Sequence, residues 1–199
     1  MIGRNSVLAL FVFIAFLTST AVHASHSKFH ELQNGYFGFA GVFFDDDNFN
    51  TGGGALISGL DLNSVLAIEG HLGLAAEDSY RKANNDELRT QINYFSTLRL
   101  RFNYHMRNMI PYAYLGYSAV NMTTTTIDSN TGKSTTLDNG HAGFSYGLGI
   151  DLFGSQRTSI FISTGMFLDK NGDGVDLNLL STMVGFRYFL SRPKPIKFW

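Results

Sequence analysis

Apolar and polar residues alternate with a period of two along most of the chain, and polar or glycine-rich breaks interrupt the alternation at near-regular intervals. Eight segments carry the pattern: residues 36–44, 54–61, 65–75, 91–103, 110–121, 141–152, 159–168 and 177–190. None holds a sustained helical period. In the third, Leu66, Ile68, Leu72 and Leu74 share one side, and Ala67, Glu69, His71, Gly73 and Ala75 share the other. In the fourth, Leu98, Leu100 and Phe102 oppose Thr97, Arg99 and Arg101. The sixth sets Phe144, Tyr146, Leu148, Ile150 and Leu152 against Ser145, Gly147, Gly149 and Asp151. The eighth sets Val184, Phe186, Tyr188 and Leu190 against Ser181, Met183, Gly185 and Arg187. One face is expected to be uniformly apolar and the other small or charged.

A soluble β-sandwich would also alternate in this way, burying its apolar face. Segment length and the rhythm of the breaks separate the two cases. Strands of about ten residues match a tilted crossing of a bilayer. The breaks at 45–53, 77–90, 122–140 and 169–176 are longer or more acidic than those at 62–64, 104–109 and 153–158. This rhythm predicts an all-β fold, an eight-stranded antiparallel up-and-down transmembrane β-barrel with loops outside and tight turns in the periplasm. The four long breaks hold twelve acidic and five basic residues, a net of −7, whereas Arg107, Arg157, Arg192, Lys194 and Lys197 gather on the opposite side. The outer rim is therefore expected to be acidic.

Composition sharpens the class. Of 199 residues, 44% are hydrophobic and 16% charged, and 18 Phe, 9 Tyr and 21 Gly favour one domain of aromatic-rich β structure over a helical bundle. A formal charge of −1 gives no bulk reason to expect nucleic acid as a partner. Without Cys, no disulfide can contribute to stability. Residues 1–24 read as a cleavable signal peptide: Arg4 is the basic start, residues 7–17 are apolar, and Val22 and Ala24 are small residues ahead of the cut. The apolar run is well short of the ~20 residues that a spanning helix needs. The expected organisation is a signal peptide at 1–24, a periplasmic lead at 25–35, a barrel at 36–190 and a periplasmic tail at 191–199, in a protein exported to the bacterial outer membrane and monomeric there.

PYAYLGYS (residues 111–118), FSYGLGIDL (144–152) and the closing VGFRYFL (184–190) resemble the fifth, sixth and last strands of opacity-like, OmpA-type eight-stranded porin-family barrels. The resemblance spans essentially the whole of 36–190 and rests on glycine and aromatic patterns. It implies surface roles such as adhesion, envelope integrity or host interaction, with outer-membrane lipid and lipopolysaccharide as surroundings. Such barrels usually end the chain on an aromatic residue of the last strand. Here Leu190 holds that phase, and Ser191 to Trp199 follow, with Pro193 and Pro195 barring a regular strand.

An eight-stranded barrel is just wide enough to be filled by its own side chains. The predicted inward set includes Glu69, His71, Arg99, Arg101, Asp151 and Arg187. Arg99 and Arg101 are expected to anchor a charge network with Glu69 and Asp151 as partners, sealing the lumen. A small-solute channel is the alternative. A lipid-modifying enzyme is more distant: the His-x-Ser arrangement of barrel deacylases is absent at His71, His105 and His141, and no nucleophile, base and orienter assemble. No enzymatic activity is expected.

LDKNGDGVDLN (168–178) carries one more candidate. Asp169, Asn171, Asp173 and Gly174 match the opening of an EF-hand loop, and Asp176 lies close behind, but the twelfth place holds Leu180 instead of a bidentate Glu. Asn171-Gly172 and Asp173-Gly174 are also ordinary hairpin-turn chemistry. The expectation is a β-hairpin loop with a weak Ca²⁺ site at most. The Thr-rich stretch within 122–140 is expected either to be a mobile loop or to extend its hairpin as an edge for strand addition.

Overall fold

The computed structural model describes residues 35–46, 49–81, 87–106, 108–155, 157–170 and 176–190. The expected signal peptide, residues 25–34 of the lead and the tail at 191–199 lie outside the described residues. The strands are β1 (Gly35–Asp46), β2 (Phe49–Asp61), β3 (Leu66–Ala75), β4 (Glu77–Arg81), β5 (Glu87–Asn103), β6 (Met109–Ile127), β7 (Ser134–Phe153), β8 (Thr158–Lys170) and β9 (Asp176–Phe189). Sequence neighbours other than β3 and β4 pair antiparallel, β1 pairs with β9, and β3 pairs with β5. These pairings close an eight-stranded barrel. Its third stave is interrupted at Ala76 and resumes as β4, which returns to β5 at Glu77↔Gln91.

Closure leaves no open sheet edge along the barrel wall, and backbone groups find partners between strands, as hydrocarbon requires. The outer surface carries the apolar phase of the pattern: Phe39, Leu56, Leu98, Leu115, Phe144, Leu148 and Ile160 are all exposed. Aromatic pairs reinforce neighbouring staves there, with ring centroids 5.4 Å apart for Phe37–Tyr188 and 5.9 Å for Tyr117–Phe144. A contiguous exposed apolar band of this kind needs lipid against it.

The inward face departs from the expected small or charged character. Towards the short-turn end it holds the charged set, but towards the hairpin end Val42, Phe44, Ile92, Phe95, Val120, Met122, Phe167 and Leu179 form a buried apolar layer. Ile92 and Phe95 both point inward although they are three residues apart. The pairing of β5 with β6 slips between Ile92 and Tyr94, so Asn93 is an extra residue that inverts the phase of everything above it.

The hairpins are longer than the expected loop boundaries. Residues 122–140 continue β6 and β7 in register, from Met122↔Asn139 to Ile127↔Ser134. Threonine favours extended backbone, and these threonines also pair across the strands: Thr123 Oγ1 donates to Asp138 Oδ1 at 2.6 Å, and the hydroxyls of Thr125 and Thr136 lie 3.2 Å apart. Asp128 closes the turn by accepting from the backbone N–H groups of Asn130 (2.7 Å) and Thr131 (3.1 Å), and Gly132 takes a φ of 65°. Most of 45–53 and 77–90 is likewise strand, with only 47–48 and 82–86 outside the described residues. The last β7–β8 pair on this side is Phe144↔Leu168. Beyond it β4, β5, β6 and β7 continue as a sheet projecting from the rim.

Candidate functional site: the lumen network and the rim

Glu69 and Arg99 stand directly opposite each other on β3 and β5, which places an acid and a base side by side inside the barrel. Glu69 Oε1 accepts from Arg99 Nε at 2.6 Å and meets His71 Nε2 at 2.7 Å, and Arg99 Nη2 also contacts this oxygen. Glu69 Oε2 accepts from Arg101 Nη1 and from the Tyr36 hydroxyl, both at 2.8 Å, and lies 3.0 Å from Arg187 Nη2. Arg101 Nη2 then donates to Asp151 Oδ2 at 2.7 Å, while Arg187 Nη1 donates to Asp151 Oδ1. The structure thus brings all six predicted lumen residues into one connected cluster.

Three guanidiniums hydrogen-bond to two carboxylates, and aromatic faces add to their support. Arg101 lies 3.7 Å from the Tyr112 ring centroid, Arg187 3.7 Å from that of Phe161, and Arg99 4.2 Å from that of Tyr114. Tyr36, Tyr112 and Tyr114 belong to the site but were not among the sequence candidates. Their signal was phase: Tyr112 and Tyr114 alternate with Ala113 and Leu115, and all three tyrosines are buried. The buried carboxylate of Asp61 was missed as well.

Above the cluster, Thr97, Ser118 and Ser145 join through their hydroxyls at 2.9 and 3.0 Å. They line a void of about 30 Å³ together with His71, Arg99 and Tyr114. A water needs roughly 10–15 Å³ by this measure, so the space suits a water or two and no solute. The apolar layer lies over it.

The calcium candidates are distributed differently. Asp169 turns inward at 2% exposure, and its Oδ2 meets His141 Nδ1 at 2.9 Å. Asn171 and Asp173 lie outside the described residues, as does the side chain of Asp176. Among the described residues no group of three or more His, Asp or Glu is placed to hold a metal. Elsewhere on the rim Arg89 Nε donates to Glu87 Oε1 at 2.7 Å, with Glu77 Oε1 3.9 Å from Arg89 Nη1.

The barrel fold has counterparts among known proteins. The outer membrane protein beta-barrel domain family matches residues 8–188. The chain belongs to this family. Its place is accordingly the bacterial outer membrane. OprG from Pseudomonas aeruginosa is similar in structure with a TM-score of 0.58 at 13% identity, covering 80% of this chain and 97% of that one. Ail, the attachment invasion locus protein of Yersinia pestis, solved with the heparin analogue sucrose octasulfate, gives 0.51 at 14% identity over 79% and 97%. A major outer membrane protein from Thermus thermophilus gives 0.53 at 14% identity over 79% and 99%. No curated protein matches the chain. At these identities the likeness is one of fold, and family membership leaves adhesion and transport equally open.

Proposed function

We infer that this family member is a sealed barrel whose work is done at its outer surface, in adhesion or envelope integrity, rather than by conduction or catalysis. The observation that carries the reading is the filled lumen: a charge cluster bonded across the barrel, an apolar layer above it and a void of about 30 Å³ between. Hydrated ions would have to displace both. The Glu69 oxygens are engaged by three arginines, a tyrosine and His71, an arrangement that suits structure better than acid–base chemistry. In this reading residues 1–24 are removed on export, the apolar band sits in lipid with lipopolysaccharide around the rim, and the hairpins face outward. Ail was crystallised with a polysulfated ligand. A rim carrying Asp45, Asp46, Glu77, Asp78 and Asp128 does not favour an anion of that kind here.

Single-channel recording of the purified protein in planar bilayers, with Arg99→Ala alongside, tests the sealed lumen. Silence from folded protein is the expected result. Stable openings that change with Arg99→Ala would establish the channel reading in its place. The surface role is tested by replacing residues 124–137 with a two-residue turn, which should keep the barrel folded and abolish binding to cell surfaces.

A further inference from the structure

The surface reading leaves the partner open, and the β7 edge bears on it. Residues 134–140 pair with β6 on one side, from Ser134↔Ile127 to Gly140↔Asn121. On the other side β8 joins only from Phe144↔Leu168, so this stretch meets no second strand among the described residues. Natural edges are commonly guarded by lysine, proline or a bulge. The sequence STTLDNG contains neither lysine nor proline, its register with β6 is unbroken, its single charge is Asp138, and Leu137 stands 58% exposed. An unguarded edge of this length is suited to receive another strand.

The segment is complementary to itself. Laid antiparallel about Leu137, it sets Thr136 opposite Asp138, Thr135 opposite Asn139, and Leu137 opposite its own copy. Each polar pair can share a hydrogen bond, and no like charges face each other. The protein already uses the same pairing internally: Thr123 is the register partner of Asp138 and donates to it at 2.6 Å. Parallel pairing in register would instead set Asp138 beside Asp138. Orientation then selects the source of the second copy. Barrels in one membrane all send β7 from the rim into the bilayer, so their β7 strands run the same way. An antiparallel partner has to come from a membrane facing the first.

We propose that residues 134–140 form a homotypic adhesive edge, in which β7 of one barrel pairs antiparallel with β7 of a barrel in an opposed membrane, with Leu137 on the two-fold axis. This rests on the surface-interaction reading and supplies its partner, a second copy of the chain. The acidic rims repel at long range, and salt shortens that repulsion to about 8 Å at physiological ionic strength. Pairing should therefore need salt, whereas a cationic partner strand would bind better without it.

The test is clustering of phosphatidylcholine vesicles carrying the purified protein, followed by light scattering. Vesicles should cluster at physiological ionic strength, where the Debye length is about 8 Å, and stay dispersed at about 0.01 M, where it is about 30 Å. Thr136→Asp sets aspartate against aspartate twice and should abolish clustering while the barrel stays folded. Mixing Thr136→Asp vesicles with differently labelled Asp138→Lys vesicles should draw the Thr136→Asp label into clusters, because each cross pair becomes Asp–Lys or Asp–Thr, and damage to folding cannot produce such a rescue. Clustering that survives Thr136→Asp, a mixture that fails to recover, or clustering that strengthens at low salt would each overturn the proposal. Dispersed vesicles from a protein that still binds cell surfaces and does not conduct would end this inference and leave the surface reading standing.

Discussion

The lower and upper parts of β5, β6 and β7 are the same strands under opposite rules. Within the barrel the charged side chains of four strands meet in one shared cluster: one carboxylate, Glu69, serves β1, β3, β5 and β9 at once. Above the rim the inward set gives way to Thr-rich ladders, and β7 keeps one side of its backbone open among the described residues. A buried charge without a partner is costly, so the lower part tolerates little change. A solvated strand edge incurs no such penalty, so the upper part is free to carry recognition.

The largest effect expected from breaking this contrast is at Glu69. Glu69→Ala would remove a carboxylate that bonds all three buried guanidiniums, with a loss on the order of 3–5 kcal/mol. Urea unfolding of the bilayer-inserted protein should show it, and Glu69→Gln, which keeps a hydrogen-bonding oxygen, should lose less. The sealed-barrel contrast fails if Glu69→Ala unfolds like the parent.

Packing over the cluster comes next. A Cβ at Gly165 would overlap the Tyr114 hydroxyl, and one at Gly59 would overlap the Tyr36 ring, so these glycines make room for rings that stack on the arginines. Gly165→Ala should cost about 1–3 kcal/mol, the usual range for overpacking. Gly140→Ala, where nothing lies within 4 Å, should be close to silent in the same assay.

The smallest effect is confined to the upper hairpin. Backbone N–H groups of Asn130 and Thr131 hold the Asp128 carboxylate below its ordinary value of 3.8. With a folded value lower than the unfolded one, the turn is supported fully above the unfolded value and loses that support as pH falls through the folded one. Amide exchange in residues 128–133 should stay constant from neutral pH down to about 4, after allowance for intrinsic rates, and rise only below that. A rise near neutrality would show that another group holds the turn.

Much of the barrel was legible in the alternation. Leu98, Leu100 and Phe102 against Thr97, Arg99 and Arg101 specified which side met lipid, because period two leaves only two choices. The charge cluster was legible for the same reason, since Glu69, Arg99, Arg101, Asp151 and Arg187 share the inward phase. Their relative heights were not, because strand stagger decides who meets whom and no single strand encodes it. Tyr36, Tyr112 and Tyr114 escaped because an aromatic ring suits either face of a membrane barrel. The projecting hairpin had its signal in the threonines, yet a Thr-rich polar stretch reads equally as a loop until its partner strand is placed beside it.

Asn93 works as a frameshift written in the backbone. Below it β5 presents odd-numbered residues to the interior and above it even-numbered ones, so the two portions are composed in separate frames. A frame boundary near the rim makes the protein modular: hairpin residues above it can be added or removed in facing pairs while the inward order below keeps its phase. In the sealed-barrel reading, variation in the hairpins is thereby uncoupled from the lumen below them.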